Sequence, residues 1–213
     1  HRDLHSFPTR RSSDLIILTN SSNSSTFYST TRTGALRWQP YTFPSHIILD
    51  NSTPAVDTAR NRVYVNCYNT ANQRSYIAYF NRNSGFLGTY EVPAGTHYSS
   101  RMATPPAIGT DGTIYVGCDT ALYALSPVDG SEIWNCPFSY AADKTPAIGR
   151  DGTIYVNYVK YDNNVWYGCC IRAIDPSDGS VKWELNIPNS DSHEEIYASN
   201  TAICFSYIAD GIY

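Results

Sequence analysis

Six cysteines have the widest chemical repertoire in this chain, because a thiolate can attack an electrophile, form a disulfide or bind a metal ion. No two of them have the C-x-x-C spacing of a zinc site or a thioredoxin-like motif. Cys169 and Cys170 are adjacent, and a disulfide between successive strand residues would need a distorted backbone. We interpret this pair as two small buried side chains. We assign the same packing role to the other four, Cys67, Cys118, Cys136 and Cys204.

Carboxylates next to glycine could bind calcium. The Asp-Gly pairs begin at Asp111, Asp129, Asp151, Asp178 and Asp210. None continues into the Asp-x-Asp-x-Asp-Gly spacing of a calcium loop, so we interpret all of them as turns. The one cluster of titratable residues, at 193–195 (His-Glu-Glu), is more typical of a solvated loop than of a site. The sequence therefore predicts no catalytic, cofactor-binding or metal-binding residue.

An internal repeat identifies the elements that hold these residues. Residues 145–156 read TPAIGRDGTIYV, residues 104–116 read TPPAIGTDGTIYV, and residues 52–65 are a diverged copy. A second shared phrase follows the two cleaner copies, ALYALSPVDGSEIW at 121–134 and CIRAIDPSDGSVKW at 170–183. Repetition at a period of this length indicates a repeat architecture.

Each copy divides into four short strands. In the cleanest copy, Asp151-Gly152 is expected to form a two-residue hairpin turn before a second strand at 153–158. A later turn, ending at Gly179, leads into a fourth strand at 180–186. Four-stranded units of about 40–50 residues favour a β-propeller, whose closed rings have about 4–8 blades. A β-sandwich is the alternative. The predicted fold is an all-β propeller fragment of four-stranded antiparallel blades.

The repeated phrases resemble the pyrroloquinoline quinone (PQQ) repeat, in which TPAIG–DGTIYV is followed by LYALSPVDGSEIW. The resemblance covers nearly all residues after position 15. It implies the quinoprotein-dehydrogenase-like propellers, a superfamily that includes the assembly factor BamB, cell-surface proteins of unknown role and PQQ-dependent dehydrogenases. In this family a tryptophan packs between neighbouring blades, which implies that role for Trp38, Trp134 and Trp183. Truncating Trp183 would then cost about 3–5 kcal/mol of stability.

The turn glycines set the expected blade boundaries. The predicted units are a partial blade at 16–40, blades at about 46–92, 101–137 and 144–188, and the start of another at 200–213. The copy at Gly85 is degenerate, with Thr89 and Tyr90 where a tryptophan is expected. We therefore expect a stretch of a larger propeller, truncated at both ends, with open sheet edges that favour aggregation.

The first fifteen residues do not resemble natural protein. HRDLHSFPTRRSSDL matches, without a gap, the translation of a common sequencing adapter. We interpret residues 1–15 as non-native and disordered, and the rest as environmental sequence. The chain is mildly acidic, with a formal net charge of −4 and no other basic run, which argues against a nucleic-acid partner. No apolar run approaches the roughly 18–20 residues that span a bilayer.

The longest insertion, residues 158–167, predicts a protruding hairpin around Asp162-Asn163-Asn164. Variable loops on a rigid scaffold are where binding usually resides. Trp166 is the one tryptophan outside the repeat position. We hypothesise an aromatic surface for a glycan or protein partner; aromatic pairs that only pack on each other across the strands are the alternative. The candidate binding residues are Tyr158, Tyr161, Trp166 and Tyr167.

Two functions from different classes follow. The favoured one is a non-catalytic binding or scaffolding propeller of an exported bacterial protein, in the periplasm or at the cell surface, without a cofactor. The alternative, implied by the resemblance, is part of a dehydrogenase that oxidises an alcohol or sugar with PQQ and calcium. Such dehydrogenases carry an adjacent-cysteine disulfide in a loop against the quinone. Here Cys169 and Cys170 run directly into a predicted strand, and none of the family's calcium-binding motifs is matched.

Overall fold

The computed structural model describes residues 14–21, 24–31, 33–49, 53–93, 103–118, 121–138, 142, 144–162, 165–187, 190–191, 196–198, 203–205 and 208–209. Within these ranges every regular element is a β-strand. The many tyrosines and the valine–isoleucine runs explain this, because aromatic and β-branched side chains fit a pleated surface.

The first two sheets occupy the first half of the chain. The first sheet contains β1 (Asp14–Ser21), β2 (Ser24–Thr31) and β3 (Tyr41–Thr42). The second contains β4 (Ile47–Ile48), β5 (Ala55–Asp57), β6 (Arg62–Asn69), β7 (Arg74–Asn81) and β8 (Gly85–Glu91). Both β4 and β5 pair with β6, so the second sheet has an extra short strand beside the predicted four.

The third and fourth sheets each have four antiparallel strands in sequence order. The third contains β9 (Ala107–Ile108), β10 (Ile114–Cys118), β11 (Ala121–Leu125) and β12 (Glu132–Pro137). The fourth contains β13 (Ala147–Ile148), β14 (Ile154–Asp162), β15 (Val165–Ile174) and β16 (Val181–Ile187). Two short pairs follow, joining β17 (Ser190–Asp191) to β20 (Ile208–Ala209) and β18 (Ile196–Ala198) to β19 (Ile203–Phe205). The all-β prediction of four-stranded antiparallel units is confirmed.

The predicted two-residue turn at Asp151-Gly152 is wrong in length. Gly149 pairs with Thr153, and the Gly152 amide donates to the Gly149 carbonyl at 3.0 Å, so three residues form the loop. Only Gly152 has a positive φ, +85°. The Asp151 carboxylate instead accepts hydrogen bonds from the amide and hydroxyl of Thr153. The aspartate therefore caps the turn from its side chain and does not adopt a left-handed backbone.

The first strand begins inside the segment for which disorder was expected. Residues 1–13 lie outside the described part of the chain, but β1 starts at Asp14 and pairs there with Thr31. The ladder continues to the Ser21–Ser24 pair. Asp14 and Leu15, the last two residues of the segment interpreted as non-native, are therefore paired within the first sheet.

The core lies between successive sheets. One apolar cluster joins the first and second sheets, and includes Phe27 and Phe80 with ring centroids 4.2 Å apart. A second joins the second and third sheets, and a third joins the third and fourth. Every residue of β10 and β11 is buried, which explains why these strands are apolar on both faces.

For each of the first three sheets, an aromatic side chain packs on the turn glycine of the next sheet. A methyl group added at Gly179 would lie 2.6 Å from Cε3 of Trp134, and one added at Gly130 would lie 2.3 Å from Cγ of Tyr90. Trp134 donates from Nε1 to the Pro176 carbonyl at 3.0 Å. Tyr90 of the second sheet likewise donates its hydroxyl to the Pro127 carbonyl in the turn of the third sheet, at 3.2 Å. Trp38 also packs on a turn glycine, since a methyl group added at Gly85 would lie 3.3 Å from its Cδ2.

The degenerate second sheet fills the tryptophan space with two tyrosines. Strand pairing puts Gly88 opposite Tyr79, where the third sheet has Trp134 opposite Ala124. Tyr79 and Tyr90 stack with centroids 4.3 Å apart and an interplanar angle of 19°. In the third sheet this position, Trp134, is four residues after the turn glycine, but in the second sheet it is only three residues after Gly85. The sequence-based count of four residues therefore pointed to Thr89 instead of Gly88.

Candidate functional site

The β14–β15 hairpin extends beyond the strands on both sides of it. β13 pairs only with Ile154 and Tyr155 of β14, while β16 pairs with β15 no further than Cys169. The ladder between β14 and β15 continues to the Asp162–Val165 pair, with a register shift after Lys160. The backbone beyond Lys160 is therefore a two-stranded projection from the fourth sheet, at the place where the insertion predicted one.

Of the four aromatic residues proposed for this hairpin, the structure describes the side chain of Tyr158. Tyr158 is 1% exposed and stacks on Phe138 of the preceding sheet's connector, with centroids 4.8 Å apart. It is a core residue, because its position on β14 faces the third sheet. Tyr161 and Trp166 are cross-strand partners by register. The side chains of Tyr161, Trp166 and Tyr167 lie outside the described part of the structure.

A polar cluster at the base of the hairpin was not predicted from the sequence. Arg172 of β15 lies opposite Glu184 of β16 and donates to its Oε2 from Nε at 3.1 Å and from Nη2 at 2.6 Å. Its Nη1 donates to the Pro137 carbonyl of the third sheet at 2.6 Å. The guanidinium also lies over the Phe138 ring, 5.6 Å from its centroid. One arginine thus links two strands of its own sheet to the preceding sheet.

Two residues of β14 join the same carboxylate. Tyr158 donates its hydroxyl to Oε2 of Glu184 at 2.8 Å and accepts from Nη2 of Arg172 at 2.9 Å. Lys160 donates from Nζ to Oε1 of Glu184 at 3.0 Å and to Oδ1 of Asn186 at 3.1 Å. Both Glu184 oxygens therefore have donors, and the cluster contains two cations and one carboxylate.

The cluster has a strong effect on proton affinities. Burial alone would raise the pKa of the Glu184 carboxyl, but hydrogen bonds from Arg172, Lys160 and Tyr158 lower that pKa to about 2. Burial, and then the hydrogen bond to Glu184, raises the pKa of the Tyr158 hydroxyl. At neutral pH the carboxylate is charged and the phenol is protonated, which is the state in which all these hydrogen bonds form.

Glu184→Gln is expected to flatten the acid limb of the stability curve. The pKa of Glu184 is about 2 in the fold and about 4.3 in an unfolded chain, so its ionised form stabilises the fold above about pH 4.3. This contribution is lost as the pH falls from there through 2. Urea unfolding at several pH values between about 5 and 2 should therefore show a smaller pH slope for the variant. Parallel curves for the two proteins would contradict the coupling.

The five cysteines whose side chains the structure describes are not joined by disulfides. Cys169 and Cys170 lie within β15, where successive residues point to opposite faces, and both are buried. Cys170 donates to Oδ1 of Asn186 at 2.9 Å, and burial raises the pKa of its thiol. Burial likewise raises the pKa of the Cys67 thiol to about 12. These thiols stay protonated at neutral pH, which disfavours nucleophilic chemistry. Cys204 lies where no side chain is described.

The described residues do not fit the quinone and calcium sites implied by the likeness to dehydrogenases. The adjacent cysteines are part of a regular strand instead of a loop, and they are not joined. Among the residues that the structure describes, no three histidine, cysteine, aspartate or glutamate side chains group to hold a metal ion. Asp111 and Asp151 each accept hydrogen bonds from the threonine two residues later, so these two carboxylates stabilise turns. The cluster at 193–195 falls outside the described residues.

The sequence matches one family model over more than half of its length. Residues 73–206 match the model described as outer membrane protein assembly factor BamB. The chain belongs to this family. The match includes the second half of the second sheet, the whole third and fourth sheets, and the β14–β15 hairpin. Among curated protein sequences, none matches the chain.

Solved structures are similar to this chain at low sequence identity. A protein of unknown function from Bacteroides caccae aligns with a TM-score of 0.53 and 14% identity, over 78% of this chain and 57% of that one. A quinohemoprotein alcohol dehydrogenase from Pseudomonas putida aligns at 0.55 and 10%, over 88% and 46%. BamB from Moraxella catarrhalis aligns at 0.49 and 15%, over 93% and 68%. The chain thus spans little more than half of the Bacteroides caccae protein.

The family match and the sheet arrangement confirm the predicted resemblance to PQQ-like repeat propellers. The blades are the successive sheets described above, each packed face to face on the next. In the described part of the chain no helix is long and apolar enough to cross a membrane.

Proposed function

We propose that this family member is a non-catalytic binding or scaffolding propeller of an exported bacterial protein, which engages a protein or glycan partner through the β14–β15 hairpin. The observation that carries the proposal is the projection of this hairpin past both neighbouring strands. A rigid blade below it and a polar cluster at its base supply the fixed platform that a binding loop needs. The proposal assigns the protein no cofactor.

The family match also supports a non-catalytic role. The matching model is described as an outer membrane protein assembly factor, which is a role in protein assembly and not in chemistry. A family member with such a role works in the bacterial envelope, so we place this protein in the periplasm or at the cell surface. The Cys67 and Cys170 thiols are buried and protonated, and the carboxylates of Asp111, Asp151 and Glu184 already accept hydrogen bonds, which leaves these groups poorly suited to catalysis.

Shortening the hairpin is expected to abolish partner binding while preserving the fold. Residues 161–167 would be replaced by Asn-Gly, which forms a two-residue turn. The matched control replaces residues 70–73, the β6–β7 turn at the corresponding place in the second sheet, with the same dipeptide. Binding would be measured by biolayer interferometry against a panel of purified cell-wall glycans and soluble outer-membrane-protein domains. We expect at least about a tenfold loss of affinity, roughly 1.4 kcal/mol, for the hairpin variant only.

Trp166→Ala gives the single-residue version of this experiment. Its register partner is Tyr161, so a loss of binding with an unchanged melting temperature would assign the contact to this pair of positions. If no panel member binds the parent protein, or if both shortened proteins bind equally well, the proposed role of the hairpin is wrong. Dye-linked alcohol or sugar oxidation after addition of PQQ and Ca²⁺, with a bound-quinone spectrum, would contradict the non-catalytic role.

A further inference from the structure

The polar cluster ties together all three long strands of the fourth sheet. Arg172 and Glu184 are direct partners on β15 and β16, and Lys160 reaches the same carboxylate from β14. Lys160 therefore crosses the central strand of the three to bind the outer one. Its cross-strand partner on β15 is Gly168, which has no side chain to obstruct that path.

The cluster stands where sheet support ends. Glu184 and Asn186 lie near the end of β16, whose last paired residue, Ile187, lies opposite Cys169. Lys160 lies on β14 immediately before the register shift, so it is the last regularly paired residue before the projection. Hydrogen bonds from this residue to β16 therefore act where pairing with β13 and β16 ends and only the β14–β15 ladder continues.

We infer that Lys160 is a positioning residue, which through Glu184 and Asn186 fixes the angle of the β14–β15 hairpin relative to its blade. Arg172 completes the device, because it holds Glu184 and also bonds the Pro137 carbonyl of the preceding sheet. The hairpin is thereby oriented against two blades and not one. The biological role of this positioning rests on the proposed binding function of the hairpin. The effect of Lys160 on the hairpin's orientation does not, because it requires no partner.

The Lys160–Glu184 ion pair is expected to affect local opening of the hairpin more than global unfolding. The Lys160 and Glu184 side chains are 33% and 22% exposed, so solvent screens the pair only partly. A pair of this kind contributes little to global unfolding, but beyond Lys160 neither β13 nor β16 pairs with the hairpin to compensate. A small loss therefore acts on local opening, which governs amide exchange.

Hydrogen–deuterium exchange of the full chain tests the inference. In Lys160→Met the aliphatic stem is kept and the hydrogen bonds to Glu184 and Asn186 are lost. We expect the amides of residues 159–168 to exchange about two- to fivefold faster, with the other strands of the fourth sheet unchanged. Lys182→Met is the matched control, because Lys182 forms a comparable ion pair with Asp175, at 3.3 Å, near the opposite end of the same sheet. It should leave hairpin exchange at the parent rate.

Arg172→Lys tests the second part of the inference, the link through Arg172 to the preceding sheet. A lysine keeps the charge but cannot bond Glu184 and the Pro137 carbonyl simultaneously with fork geometry, so hairpin exchange should again increase. Unchanged hairpin exchange in Lys160→Met, or an equal increase in Lys160→Met and Lys182→Met, would overturn the inference. Faster exchange in a protein that binds no panel member would support the positioning role while refuting the proposed binding function. Intact binding in Lys160→Met with unchanged exchange would do the reverse.

Discussion

Trp134→Ala should lower the free energy of unfolding by about 3–5 kcal/mol. The indole is 8% exposed and lies between the third and fourth sheets, against the turn at Gly179. Removing it creates a cavity, and it also leaves the Pro176 carbonyl without its 3.0 Å hydrogen bond from Nε1. Urea unfolding followed by circular dichroism measures the effect.

Trp183→Ala is the matched control, because it removes the same side chain from the equivalent strand of the next sheet. Trp183 is 42% exposed, and within the described part of the chain no turn glycine packs on it. The loss expected from the sequence, about 3–5 kcal/mol, is therefore revised to about 1–2 kcal/mol, since a half-exposed site encloses no cavity. Equal losses for the two variants would contradict the inter-sheet role of Trp134.

Gly179→Ala should destabilise the fold by about 2–5 kcal/mol. The backbone at Gly179 has φ +76°, and an added methyl group would lie 2.6 Å from Cε3 and 2.8 Å from Cδ2 of Trp134. The substitution therefore combines backbone strain with overpacking between two sheets. Neither the ring nor the turn can move alone, because the Trp134 hydrogen bond joins them.

Gly34→Ala separates the two contributions. Gly34 has φ +83°, but a methyl group there would meet nothing within 4 Å. Only the strain remains, so a loss of about 1–2 kcal/mol is expected. A loss at Gly179 no larger than that at Gly34 would show that the indole does not approach the turn as closely as described.

The repeated phrases made much of the fold predictable. Alternating β-branched and aromatic residues between glycine turns favour short strands, and repetition at a fixed period requires the same unit to recur. The third and fourth sheets accordingly have the predicted four antiparallel strands. These features are local, because a turn glycine and its flanking strands are close in sequence.

The candidate site was only partly predictable. The length of the insertion indicated a projecting hairpin, since extra residues between two paired strands can extend the ladder beyond the neighbouring strands. The environment of Tyr158 was not readable, because facing inward or outward depends on register and on which sheet lies opposite. A signal for the polar cluster did exist in Arg172, a charged residue inside the otherwise apolar strand CCIRAI, but its partner Glu184 is assigned only by pairing.

By itself, the sequence determined the strand-and-turn unit, its repetition and the family, because propensity, turn chemistry and period act over a few residues. Only the tertiary structure decided which residues meet between units. It put Gly88 where a tryptophan was expected and filled that space with Tyr79 and Tyr90. The physical reason is that one residue more or fewer in a connection changes which side chains face the neighbouring sheet, and no local preference records that choice.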